Sequence, residues 1–201
     1  MNSTPIMAFE PTRTDNAQLM VDCRELGYLS DEDLILDPTW GKGRFWTKWH
    51  PKGLIGTDLN PKKSPAGLPI DFTALPYADR LFDAVVFDPP YKLNGTPSEG
   101  MDEDYGVDEP TRWQDRMALC IAGIEECARV SSDRLLVKCM DQVCSGRVRW
   151  QTTIFAEAGS EHGFRLVDEL HVRSYREQPS KRRQVHARRN LSTLLVMRRA
   201  R

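Results

Sequence analysis

The run Leu81-Phe82-Asp83-Ala84-Val85-Val86-Phe87 passes directly into Asp88-Pro89-Pro90-Tyr91-Lys92, and no other stretch of the chain constrains the fold as tightly. Four consecutive apolar residues, Ala84 to Phe87, rich in β-branched and aromatic types, predict a strand buried on both faces in the middle of a parallel sheet. Two prolines cannot donate to a ladder and hold φ near −65°. The chain must therefore leave the sheet at Asp88, whose carboxylate and following carbonyls project beyond the strand end, where open α/β sheets bind their ligands.

Three shorter strands precede this one. Leu34-Ile35-Leu36 ends in Asp37-Pro38-Thr39-Trp40-Gly41-Lys42-Gly43-Arg44-Phe45. An apolar strand, an acid, a Gly-x-Gly turn and a helix from Arg44 to about His50 make a nucleotide-type loop, the glycines letting backbone approach a ligand closely. Gly53 to Asp58 forms the next strand, and its acid lies one βαβ unit after Asp37, where it can accept both hydroxyls of a ribose. Gly67 to Phe72 reads as a third, weaker strand, at the sheet edge because of Pro69.

The turn at Asp88 suits one kind of chemistry. An amino group conjugated to a base ring is a poor nucleophile because its lone pair is delocalised. The Asp88 carboxylate and the Pro89 carbonyl can each take one amino hydrogen, drawing the lone pair out of conjugation and aiming it at a methyl donor, while Tyr91 stacks on the extruded base. Asp88-Pro89-Pro90-Tyr91 resembles the signature of the amino methyltransferases that use S-adenosylmethionine, chiefly those acting on adenine in DNA and some acting on RNA. Asp37-Pro38-Thr39-Trp40-Gly41-Lys42-Gly43 is similar to their glycine-rich first motif, with Thr39 where phenylalanine is common.

That resemblance covers roughly residues 30–145 by motif order. It implies a single Rossmann-like methyltransferase domain over residues 1–201, with a mostly parallel seven-stranded sheet, helices on both faces and an antiparallel C-terminal strand pair. It further implies catalytic Asp88, Pro89, Pro90 and Tyr91, and S-adenosylmethionine held by Asp37, Pro38, Thr39, Gly41, Gly43 and Asp58, with Asp71 meeting the cofactor's adenine amino group and Phe72 flanking the ring. From the residues alone, Asp71 can equally cap a helix over 73–80.

The rest of the chain is read around this core. Residues 1–13 are an extended arm, and Thr14 or Asp15 caps a helix to about Glu25, closed by Gly27. Lys92 to Pro110, with three glycines, two prolines and six acids, is long for a connection inside a compact domain and reads as a lid. A helix follows from Arg112 to about Val130, then a strand, Leu135 to Met140, in which Lys138 interrupts an apolar run; it reaches the site or snorkels at a strand edge. A helix over 149–162, a strand over 164–172 and a last strand over 191–197 complete the pattern.

Charge is distributed unevenly. Residues 1–170 carry 18 Lys and Arg against 28 Asp and Glu, whereas 171–201 carry 10 against one. The basic loop 173–190 is the expected nucleic-acid surface, with Lys181, Arg182, Arg183, Arg188 and Arg189 as its phosphate contacts. DNA is the favoured partner over RNA. The five cysteines form no Cys-x-x-Cys pair, which predicts neither a disulfide framework nor a metal site. No signal peptide or apolar span is apparent, and a cytoplasmic protein is expected.

Alternatives remain at the level of substrate. The same turn could methylate the amino group of cytosine, though that group more often shows serine in place of Asp88, and relatives modifying guanine in ribosomal RNA or glutamine in proteins usually carry asparagine there. A non-catalytic nucleic-acid-binding protein derived from such an enzyme is disfavoured by the persistence of both acids, Asp37 and Asp58.

Overall fold

The structure is a computed structural model that describes residues 12–13, 15–93, 112–173, 185–187 and 190–200. Strand Phe82–Phe87, the predicted centre, is the hub: Phe82, Ala84, Val85, Val86 and Phe87 are all fully buried, each large side chain contributing about 1.5–3 kcal/mol by leaving water. In chain order the strands are β1 (Thr12–Arg13), β2 (Ile35–Asp37), β3 (Leu54–Gly56), β4 (Phe82–Phe87), β5 (Ser131–Cys139), β6 (Gln142–Cys144), β7 (Arg147–Arg149), β8 (Phe164–Arg173) and β9 (Leu191–Arg199), with helices α1 (Asn16–Glu25), α2 (Trp113–Val130) and α3 (Gln151–Glu161).

The main sheet runs β1-β8-β9-β5-β4-β2-β3. All its pairings are parallel except those of β9, which lies antiparallel between β5 and β8. Two apolar clusters cover its faces. One joins Val85, Phe87, Val137 and Leu195 to α2 and α3. The other joins Ile35, Val86, Leu136 and Leu194 to α1 and to Phe45 and Trp46.

Six of the seven predicted strands form. The seventh, Gly67 to Phe72, does not: Asp58 makes a single isolated bridge to Pro69, and Ile70 N–H reaches the Asp58 carbonyl at 3.0 Å. Pro69 has no N–H for a ladder, and Leu68 is 62% exposed, so neither hydrogen bonding nor burial holds this segment as a strand. The two-residue β1 occupies the opposite edge instead. The helix expected from Arg44 to His50 shrinks to one 3-10 turn, Arg44–Trp46. No helix is described over 73–80; Asp71 closes a tight turn, accepting from both the N–H and the hydroxyl of Thr73 at 2.8 Å.

Helix α1 starts where its cap predicts, with Asp15 accepting from Ala17 N–H at 2.9 Å. One element was not foreseen: β6 and β7 form a hairpin just past β5, turning through Ser145 and Gly146, both at positive φ, the backbone of a type I′ turn. No helix among the described residues is long and apolar enough to cross a membrane, and no group of three or more metal-ligating side chains occurs among them.

Candidate active site

The order of strand addition reverses between β2 and β4: from β2 the chain adds β3 on one side, and from β4 it adds β5 on the other. The crevice beyond the carboxyl ends of these two strands is the place where such sheets bind ligands. Asp37 closes β2 and Asp88 follows β4 directly.

Thr39 joins the two. Its N–H and hydroxyl both donate to Asp37 Oδ1, at 3.0 and 3.3 Å, and the same hydroxyl oxygen accepts the Asp88 N–H at 2.9 Å. A phenylalanine at this position makes neither of the two hydroxyl bonds. Asp37 Oδ2 accepts the indole N–H of Trp46 at 2.7 Å. Burial pushes the Asp37 carboxyl up to about 7, against the lowering effect of the Trp46 and Thr39 hydrogen bonds, with the nearby charge of Asp88 raising it further.

The glycine loop is built tightly. Gly43 has φ +63°, and a Cβ there would lie 2.9 Å from the Trp40 ring; at Gly56, on β3, a Cβ would lie 2.0 Å from the same ring. Trp40 is thus packed into space that only glycine leaves open. Asp58, two residues past Gly56, accepts Gly41 N–H through Oδ2 and Asn60 N–H through Oδ1, both at 2.8 Å. Each carboxylate oxygen keeps a second acceptor position. Pro38 is buried behind the loop. Phe72 is half-buried and meets Phe87 edge to face at 5.2 Å, while Asp71 is exposed beside it.

At the turn, Tyr91 N–H donates to the Pro89 carbonyl at 2.7 Å, closing a γ-turn about Pro90. The Tyr91 carbonyl accepts two side-chain amides, Gln142 Nε2 at 2.6 Å and Gln151 Nε2 at 2.7 Å. Gln142 Oε1 also takes the Leu93 N–H at 3.2 Å, and Gln151 Oε1 the Met140 N–H at 3.0 Å. Two glutamines on β6 and α3 therefore pin residues 91–93 to the end of β5. Arg116 from α2 adds a bond to the Lys92 carbonyl at 2.9 Å. Sequence reasoning missed both glutamines and Arg116; Gln142 stood visibly at a strand end, whereas nothing local marks Gln151.

Asp88 itself is half-buried, yet its Oδ1 is enclosed and has no hydrogen-bond partner among the described residues. Burial raises its carboxyl above the ordinary range and the charge of Lys138 lowers it. A buried acceptor without a donor costs about 1–3 kcal/mol, so its persistence at a ligand crevice calls for a functional reason.

Lys181, Arg182, Arg183, Arg188 and Arg189 lie outside the described residues, as do residues 94–110 of the expected lid. Within the basic loop Val185 to Ala187 are described, and His186 Nε2 stands 2.9 Å from the Gly146 carbonyl at the hairpin turn.

Comparison with solved structures supplies the fold's relatives. Magnesium protoporphyrin IX methyltransferase of Synechocystis PCC 6803 with bound S-adenosylhomocysteine matches with a TM-score of 0.59 at 11% identity, covering 92% of this chain and 82% of that one. A Thermoplasma acidophilum protein matches at 0.57 and 10% identity over 92% and 88%. The [4+2]-cyclase SpnF matches at 0.55 and 14% identity over 91% and 80%. No family model matches the chain, and no curated sequence does.

The chain has the Rossmann-like methyltransferase fold. Structures of this fold are crystallised with S-adenosylmethionine or its demethylated product, and the glycine loop and the Asp58 oxygens fit such a group, with backbone able to approach it and acceptors at the loop edge. The cyclase among the relatives shows that the fold alone does not set the reaction.

Proposed function

We propose that this protein transfers a methyl group from S-adenosylmethionine to the exocyclic amino group of adenine in DNA. The observation that carries the reading is Asp88: a carboxylate just past β4, where the order of strand addition reverses, with one enclosed oxygen that nothing in the described chain satisfies. When bound, S-adenosylmethionine supplies an electrophilic methyl group. Asp58 would hold its ribose hydroxyls, Asp71 its adenine amino group, and Phe72 the ring face, while Asp37 and Thr39 act through the loop they shape.

Asp88 and the Pro89 carbonyl accept the two hydrogens of the target amine. Pro89 keeps one lone pair for this, because Tyr91 N–H uses only the other. The amine's lone pair then leaves conjugation and becomes nucleophilic, and Asp88 receives the proton released as the new N–C bond forms. Tyr91, its backbone fixed by Gln142 and Gln151, offers its ring to an extruded base. The basic loop supplies phosphate contacts, a reading supported by His186, which meets the turn of the hairpin whose Gln142 also holds Tyr91.

The test is mass spectrometry of nucleosides from DNA and from RNA incubated with the protein and labelled S-adenosylmethionine. Labelled N6-methyladenine in DNA is expected. Label confined to RNA, to cytosine or to nothing would refute the assignment.

A further inference from the structure

Lys138 sits in the middle of the sheet with 1% of its surface exposed. It pairs with Leu194 of β9 on one side, where a leucine or methionine would fill the space without the burden of desolvating an ammonium. Its surroundings are instead built for charge. Nζ donates to Asn16 Oδ1 at 2.6 Å, a contact between the first residue of α1 and a strand 122 residues later, and it lies 5.2 Å from the centroid of the Phe45 ring, within cation–π range. Across the other ladder Phe87 pairs with Val137 at the end of β4, so Asp88 and Lys138 follow the last paired positions of neighbouring parallel strands, whose backbones run about 4.8 Å apart.

We propose that Lys138, held by Asn16 and the Phe45 ring, is a positioning residue for the reaction: its ammonium holds Asp88 in the charged form that accepts the target amine's hydrogen. The inference rests on the role assigned to Asp88 above. It is supported by the opposing influences on the pair: burial pushes the Asp88 carboxyl up and Lys138 brings it down, while burial pushes Lys138 down and Asp88 brings it back up. Among the described residues, the other groups around Lys138 and Asp88 give no such help. β2 presents Asp37, whose charge opposes that of Asp88. α1 presents the neutral Asn16, with Asp15 turned away to Lys48, the 3-10 turn presents Phe45 and Trp46, and β9 presents Leu194.

The experiment follows the Asp88 carboxyl by NMR in aspartate-labelled protein without any ligand, using Asp88→Asn to assign the signal. Lys138 is the charge that lowers the Asp88 carboxyl, so Lys138→Met is expected to shift the titration upward. The acidic limb of kcat/KM should move up equally, with activity restored at higher pH and cofactor affinity unchanged. Lys138→Arg should keep the parent profile. Asn16→Ala, which leaves the lysine in place, should give a smaller shift in the same direction and serves if Lys138→Met fails to fold. An Asp88 titration unmoved in the variants overturns the inference whatever the activity; a parent protein without methyl transfer overturns the proposed function, and the NMR titration still decides the coupling.

Discussion

Asp37 and Asp88 look alike in sequence, each an acid that ends an apolar strand and is followed by proline. They stand at the ends of adjacent parallel strands, and the charge of Asp88 raises the Asp37 carboxyl. Their surroundings differ sharply. Asp37 has both oxygens filled by donors from its own loop, Thr39 and Trp46, whereas Asp88 leaves Oδ1 without any donor among the described residues. The difference teaches that a buried acid saturated by its own loop belongs to the scaffold, and a buried acid with an unfilled oxygen is held for something outside the chain.

If that contrast is sound, Asp88→Ala abolishes methyl transfer, by on the order of 10²-fold or more, while thermal stability and S-adenosylmethionine affinity stay near the parent's. Unchanged turnover in single-turnover assays would erase the distinction between the acids. Asp37 is expected to act on stability and its pH dependence instead. Its carboxyl is raised in the folded state, to about 7, so its contribution is fully present below the ordinary carboxylate range near pH 4 and is lost as pH rises through about 7. Denaturant titrations should show the parent losing up to about 4 kcal/mol relative to Asp37→Asn across that window; parallel pH curves for the two proteins would show that Asp37 is not the buried, titrating group described.

Asp58→Ala sharpens the comparison from the cofactor side, weakening S-adenosylmethionine binding by about 1.5–3 kcal/mol in calorimetry with little change in the chemical step once cofactor is saturating. Equal affinity would place the ribose contact elsewhere. The smallest effect is expected for Thr39→Val, which keeps the shape but removes the hydroxyl between the acids. A cost of about 1 kcal/mol in stability with a modest loss of rate would fit a linking role, and a loss as deep as that of Asp88→Ala would mean that Thr39 touches the reacting groups.

Much of the fold was legible locally. The unbroken apolar run of β4, the prolines after Asp88, the glycines at 41 and 43 and the cap at Asp15 each restrict the backbone within a few residues, and the structure follows them. The segment over 67–72, expected as a weak edge strand, does not form one because Pro69 removes the donor a ladder needs and Leu68 stays exposed. The hairpin of β6 and β7 went unseen because its strands are only three residues each, too short for a period to show.

Sequence by itself thus determined where the chain must turn and which acids stand at strand ends, since proline, glycine and apolar runs act on neighbouring residues. Only the tertiary structure decided which of those acids is satisfied. Thr39 meets the Asp88 N–H across 49 residues, Gln151 meets Tyr91 across 60, and Asn16 meets Lys138 across 122. Such bonds depend on strand order and register, which place distant segments side by side only after the sheet has formed.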